Sequence, residues 1–134
     1  PAHLPDLHPF YTTPLAGVRQ IRLLPFDVEA GESPQWVDAL ADDRDGLVEH
    51  LRGRDMHCRP FWFPIHTQRP YLMPDDNFPV SSRVMPDAVW LPSAFQLDEG
   101  DIRMVCDEIR QFYTSRTLAV PRCSASSCQS ATKG

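Results

Sequence analysis

His66, Gln68 and Tyr71 stand close together in a segment bracketed by prolines, Pro64 to Pro79. An imidazole held in a rigid loop can donate to or accept from a ligand hydroxyl, which makes His66 the leading candidate for a ligand contact. The competing use is a loop histidine bonded to a backbone carbonyl. Gln68 and Tyr71 could add polar contacts to a ligand, or could satisfy the backbone groups of their own loop. Phe61, Trp62, Phe63 and Trp90 could stack on a base, but strand spacing favours core or an apolar interface.

Other chemistries find little support. His3, His8, His57, Cys58 and His66 include no HxxxH or CxxC pair, so no metal site is expected. Ser124, Ser126 and Ser127 lie in no nucleophile motif, and G-x-S-x-G, Walker A and GxGxxG sequences do not occur. The only lysine is Lys133, so chemistry that needs a lysine amine has one candidate, in a Ser-rich tail.

The elements that must position these groups follow from the pattern. Val18 to Leu24 alternates and predicts a short strand or extended segment; Gln35 to Ala41 predicts a strand. In the latter Trp36 and Leu40 share one face, and Val37 and Ala39 the other. Asp42 or Asp43 offers an N-cap for a helix from about Arg44 to Arg54, with Leu47, Val48 and Leu51 as its apolar stripe. His57 to Phe63 predicts an edge strand containing Pro60. Phe78 to Met85 suits a short helix, and Ala88 to Leu91 a strand. The clearest element is Asp98 to Arg116, where Ile102, Val105, Cys106, Ile109 and Phe112 make one continuous face behind the N-cap Asp98. The first residues, Pro1 to Pro14, read as irregular; Pro14 weakens a helix at Phe10 to Leu15. The expected fold is α/β (α+β): a small sheet of about three strands with helices on one face. The expected divisions are residues 1–17 as an irregular segment or the remnant of a linking helix, 18–116 as the folded domain and 117–134 as a flexible tail.

The 134 residues suit one domain, and 42% hydrophobic residues suffice for a core. A net charge of -5 argues against a nucleic-acid partner, and the short apolar runs argue against a membrane span. The first residues lack the basic and apolar regions of a signal peptide. Cys58 and Cys106 fall in apolar patterns and read as reduced thiols, with Cys123 and Cys128 in the tail, which suits a cytoplasmic setting.

The segment Arg59 to Tyr71, RPFWFPIHTQRPY, resembles the R-P-F-x-x-P-[LI]-H-x-Q-x-x-Y stretch of the DegT/DnrJ/EryC1/StrS aminotransferases, and looks most like the perosamine synthase branch. RDGLVEHL at Arg44 to Leu51 resembles that family's R-D-x-L-x-x-x-L helix. MHCRP stands where G-I-x-x-R-P is usual, and Ala88 to Phe112 is similar to the closing L-P-S and helix motif. The resemblance implies the C-terminal small domain of a fold-type I enzyme that uses pyridoxal phosphate (PLP) to aminate a nucleotide-linked keto-sugar. It implies that the large domain, with the cofactor and its lysine, lies outside this chain. It also implies a loop at the mouth of the active site, with His66, Gln68 and Tyr71 as substrate-binding residues. No cofactor in this chain and no activity alone are expected. The setting implied is lipopolysaccharide biosynthesis, and the partner a separate large-domain chain or a second copy in a homodimer. A non-catalytic binding or assembly module, or a relic without a role, is the alternative.

Overall fold

The computed structural model of the chain describes residues 4–27, 29–32 and 35–119. The elements run α1 (Leu4–Leu15), β1 (Ile21–Leu23), β2 (Val37–Ala41), α2 (Arg44–Arg52), β3 (Arg59–Pro60), α3 (Pro79–Val84), β4 (Ala88–Leu91) and α4 (Glu99–Ala119). The sheet is antiparallel throughout, in the order β1-β2-β4-β3. The fold class is therefore the expected mixed α/β, with four strands where about three were expected. The fourth comes from the Val18–Leu24 segment, of which Ile21–Leu23 pairs with Ala39–Ala41.

Alternation along β2 and β4 sorts the two faces. Val37, Ala39 and Ala41 of β2 and Val89 and Leu91 of β4 are buried in the core. Leu47, Val48 and Leu51 of α2, and Ile102, Val105, Cys106, Ile109 and Phe112 of α4, meet them there. The predicted stripes of both helices are thus the buried ones. On the far face, Trp36, Asp38, Leu40 and Trp90 are covered by no helix and remain partly or largely accessible.

Two helix starts show how local chemistry sets these positions. Asp43 caps α2 from a left-handed conformation (φ 48°), its carboxylate accepting from Gly46 N. A Cβ at Gly46 would meet that carboxylate at 2.6 Å, so a side chain there would displace the cap. Asp98 and Asp101 cap α4 reciprocally: Asp101 N–H donates to Asp98 Oδ1 at 2.9 Å and Asp98 N–H to Asp101 Oδ2 at 3.1 Å. A shared carboxylate also ties α2 to α4, as Glu108 accepts from His50 at 3.1 Å and pairs with Arg54 at 2.5 Å.

Three expectations need correction. Leu4 to Leu15 is helical, although Pro9 and Pro14 lie inside it. Leu7, Tyr11 and Leu15, spaced one turn apart, are buried against the rest of the core, and Tyr11 OH donates to Pro92 O at 2.7 Å. Tertiary packing of that stripe offsets the cost of proline. The strand expected over His57 to Phe63 shortens to Arg59–Pro60, with Phe61 N–H donating to Ala88 O at 2.9 Å just beyond it. α4 runs on to Ala119, beyond Arg116. The expected tail from Val120 onward, with Cys123, Cys128 and Lys133, lies outside the described residues.

Candidate functional site

The chain leaving β3 does not turn back directly. Prolines at 60, 64, 70, 74 and 79 deny it continuous ladder or helix bonding, and it folds instead into single 3₁₀ turns at Ile65–Thr67, Arg69–Tyr71 and Asp75–Asn77 before α3. His66 is the loop's own core. Its ring is 4% exposed and stacks on Phe78 at 4.5 Å, nearly parallel. Nε2 lies 3.0 Å from Asp75 Oδ1 and 3.1 Å from Ser82 Oγ, and its carbonyl accepts from Met73 N. One imidazole thereby ties three parts of the loop together.

This geometry narrows what His66 can do. With its proton on Nε2, the ring donates to Asp75; with Nε2 bare, it accepts from the Ser82 hydroxyl. Both partners share one ring nitrogen, whereas a serine–histidine–carboxylate triad sets the hydroxyl on one nitrogen and the carboxylate on the other, so this arrangement is not such a triad. The partners are a side-chain carboxylate and hydroxyl of the loop itself, not the backbone carbonyl weighed from the sequence. Gln68 is turned along the loop, donating from Nε2 to Phe63 O at 3.2 Å. Tyr71 is 60% exposed, and its hydroxyl makes no hydrogen bond among the described residues. The three sequence candidates thus share a loop but do not converge: His66 faces inward, while Tyr71 faces out.

A second concentration of side chains was less visible in the sequence. On the open sheet face Trp36 stacks on Trp90, with centroids 4.5 Å apart. Phe61 and Trp62 approach Trp90 at 4.9 Å and 5.6 Å, the latter edge-on. Asp38 is the register partner of Trp90 across β2 and β4. Burial pushes its carboxyl above the ordinary 3.8, offset in part by the neighbouring indole. From the same tryptophans opens a groove of about 770 Å³, floored by Met56, Leu91 and Leu97 and flanked by Phe95 and Met104. The signal for Asp38 was its place between Trp36 and Leu40 on the outward face of an alternating strand.

Pyridoxal phosphate does not fit this arrangement by itself. The described residues hold no lysine, and neither the His66 loop nor the aromatic face offers an amine to bind an aldehyde. Burial pushes the thiols of Cys58 and Cys106 up, that of Cys106 to about 12, so neither is a ready nucleophile. No cluster of His, Cys, Asp and Glu suited to a metal occurs among the described residues, and no helix there is long and apolar enough to cross a membrane.

Known proteins supply the frame for this geometry. GDP-perosamine synthase of Vibrio cholerae is 28% identical over 120 residues, covering 81% of this chain and 31% of its own length. GDP-perosamine synthase of Escherichia coli O157:H7 is 26% identical over 76 residues, covering 57% and 21%. Among solved structures, the PLP-form of the putative sugar aminotransferase Spr1654 from Streptococcus pneumoniae superposes with a TM-score of 0.74 at 14% identity, over 84% of this chain and 31% of its own. DesI, solved in the presence of its TDP-sugar product, does so with a TM-score of 0.73 at 24% identity, over 87% and 32%. The chain spans about a third or less of each of these proteins. The model of the DegT/DnrJ/EryC1/StrS aminotransferase family matches residues 4–110, which takes in every strand and every helix but the second half of α4, and the chain belongs to that family.

Proposed function

We propose that this chain is the small-domain part of an aminotransferase acting on a nucleotide-linked keto-sugar, and that it works only together with a large domain. The observation that carries this reading is the open sheet face. Helices cover one side of the sheet, while Trp36, Trp62 and Phe63 on or beside the other are 40%, 64% and 81% exposed. Apolar surface of that kind is a docking surface in a family whose relatives are about three times longer. The large domain brings pyridoxal phosphate and its lysine. That group would serve as the carrier of the amino group, and nothing in this chain takes that role.

Within the complex, this chain's residues bind and orient. His66 spends Nε2 on Asp75 and Ser82, so it holds the loop rigid. Tyr71 then presents a free hydroxyl, and Gln68 an amide, to the sugar. The setting that suits such chemistry is cytoplasmic synthesis of lipopolysaccharide sugars. GDP-perosamine synthase relatives support the GDP-linked class of substrate.

The test is complementation. A PLP-loaded large-domain polypeptide from a relative is mixed with this chain and given a GDP-linked keto-sugar and glutamate. Expected are a stable complex and transamination absent from either part alone, with KM raised more than kcat falls in Tyr71→Phe. Failure to form a complex at micromolar concentration refutes the reading, as does full activity of the large domain alone.

A homodimer is a second reading, favoured by the same exposed aromatics. Two-fold symmetry lets one apolar patch meet itself. Sedimentation at micromolar concentration distinguishes the two, since a strict monomer rejects the homodimer.

A further inference from the structure

One group on the open sheet face is used neither by the fold nor by the function proposed above. Asp38 sits mid-strand in β2, on a central strand of the sheet. Asp38 Oδ1 and Trp90 Nε1 are both buried, and neither makes a hydrogen bond of good geometry among the described residues; the indole N–H lies near enough to the carboxylate to favour its charge, but not enough to offset burial. Asp38 makes no ion pair there either. Arg22 on β1 and Arg59 on β3 share the face and flank it, yet both are exposed and neither pairs with Asp38. A carboxylate drawn partly out of water costs free energy unless it is well paired, and burial of Asp38 outweighs the help of the Trp90 indole, so its pKa stays raised.

The surroundings define what would relieve it. Trp36 and Trp90 lie in a stack beside the carboxylate, with an interplanar angle of 28°, and Trp62 meets Trp90 edge-on. Indole faces attract cations, and a carboxylate needs donors as well as charge. An ammonium supplies a point charge. A guanidinium is planar, stacks on an indole and offers paired N–H groups to a carboxylate, so it matches both features.

We propose that Asp38, Trp36 and Trp90 form a receptor for an arginine side chain on the protein surface that covers this face. The apolar groove of about 770 Å³ opens from the same tryptophans and takes apolar side chains flanking that arginine. The assignment deepens the proposed function, and it rests on that reading for the identity of the partner, a large domain, though not for the chemistry of the site.

The test needs no partner protein. The purified chain, at a concentration where it sediments as a monomer, is titrated with N-acetyl-arginine amide. Indole emission and the Trp90 indole N–H resonance are followed. A saturable change is expected with arginine and none with N-acetyl-citrulline amide, which has the same outline without the charge. Asp38→Asn is expected to weaken binding by about tenfold or more, the loss of a charge-assisted pair, and Arg59→Gln to leave it unchanged or tighter. No saturation, an equal response to citrulline, or unaltered affinity in Asp38→Asn overturns the proposal; the citrulline comparison on the unmodified chain stands even if that variant misfolds. A chain that binds arginine but no large-domain polypeptide keeps the site and refutes the partner. Asp38→Asn that binds a large domain as tightly as the unmodified chain refutes the site and keeps the partner.

Discussion

Replacing Ile109 by alanine measures how much of this domain hangs on the seam between α4 and the rest of the core. Ile109 has no exposed surface and belongs to the single cluster that joins α1, α2, α4 and the sheet. The change removes about three methylene equivalents, each worth about 0.8 kcal/mol of transfer free energy, so roughly 2.4 kcal/mol before any cavity is counted. Incomplete collapse around the gap adds to this, giving an expected loss of about 2–5 kcal/mol. Domains of this size are stable by about 5–15 kcal/mol, so the variant stands near the edge of folding at the upper value. Urea denaturation followed by far-UV circular dichroism is the assay. With a slope of about 2 kcal/mol/M, a loss of about 3 kcal/mol lowers the midpoint by roughly 1.5 M. Met104 lies on the same helix but is 54% exposed, so Met104→Ala is expected within about 0.5 kcal/mol of the unmodified chain. If Ile109→Ala costs under about 0.5 kcal/mol, or if the two variants cost the same, the orientation assigned to α4 is wrong.

Asp98→Ala removes the acceptor for Asp101 N–H and should cost about 1 kcal/mol by the same assay, whereas no loss would show that the reciprocal cap contributes nothing. Cys58 and Cys106 are buried with raised pKa values, so iodoacetamide at pH 8 should alkylate them only as fast as the domain opens, and rapid native-state labelling of either peptide would contradict their burial. Asp38 gives a pH signature. Its folded pKa lies above the ordinary 3.8, so the folded state binds the proton more tightly and stability falls as pH rises from there through the folded value. Asp38→Asn should therefore be the more stable form at neutral pH, with the difference vanishing below about pH 3.8, where the carboxyl is neutral in both states. Urea midpoints at pH 7 and pH 3 check this, and a less stable Asp38→Asn at pH 7 refutes it.

What the sequence made legible was periodicity. The stripe from Ile102 to Phe112 and the shorter one of Leu47, Val48 and Leu51 take the faces that their spacing assigns, and Ala88–Leu91 is the strand expected. Local rules failed where distant residues decide. Leu7, Tyr11 and Leu15 carry a helical repeat as plain as any, but Pro9 and Pro14 made an isolated helix unfavourable; only the core behind it repays that cost. The site was half legible. His66 stood out by type and by its prolines, while its partners Asp75 and Ser82 were invisible, since a loop without periodicity gives no rule for which residues fold back. Asp38 was readable as an outward residue of β2. That it would stand beside Trp90 depended on the register of two strands far apart in sequence.

The open face of the sheet is informative because it suits neither of two simple environments. A face meant for water would carry charged and small polar residues, and the exposed side of an antiparallel sheet commonly does. Here Arg22 and Arg59 hold only the flanks, and Trp36, Trp90 and the nearby Trp62 stand between them, at the cost of wet apolar surface. A face meant only for apolar contact would not place a carboxylate at its centre, because burying Asp38 unpaired would cost more than an alanine or leucine in its place. A face that is covered by a surface of complementary charge satisfies both halves, since tryptophans gain area and Asp38 gains a donor. The helical side is closed by α1, α2 and α4, and the starts of α2 and α4 are capped by Asp43 and Asp98. Folding and assembly are thus divided between the two sides of one sheet. Substitutions on the helical side should move stability, and those at Trp36, Asp38 and Trp90 should move association.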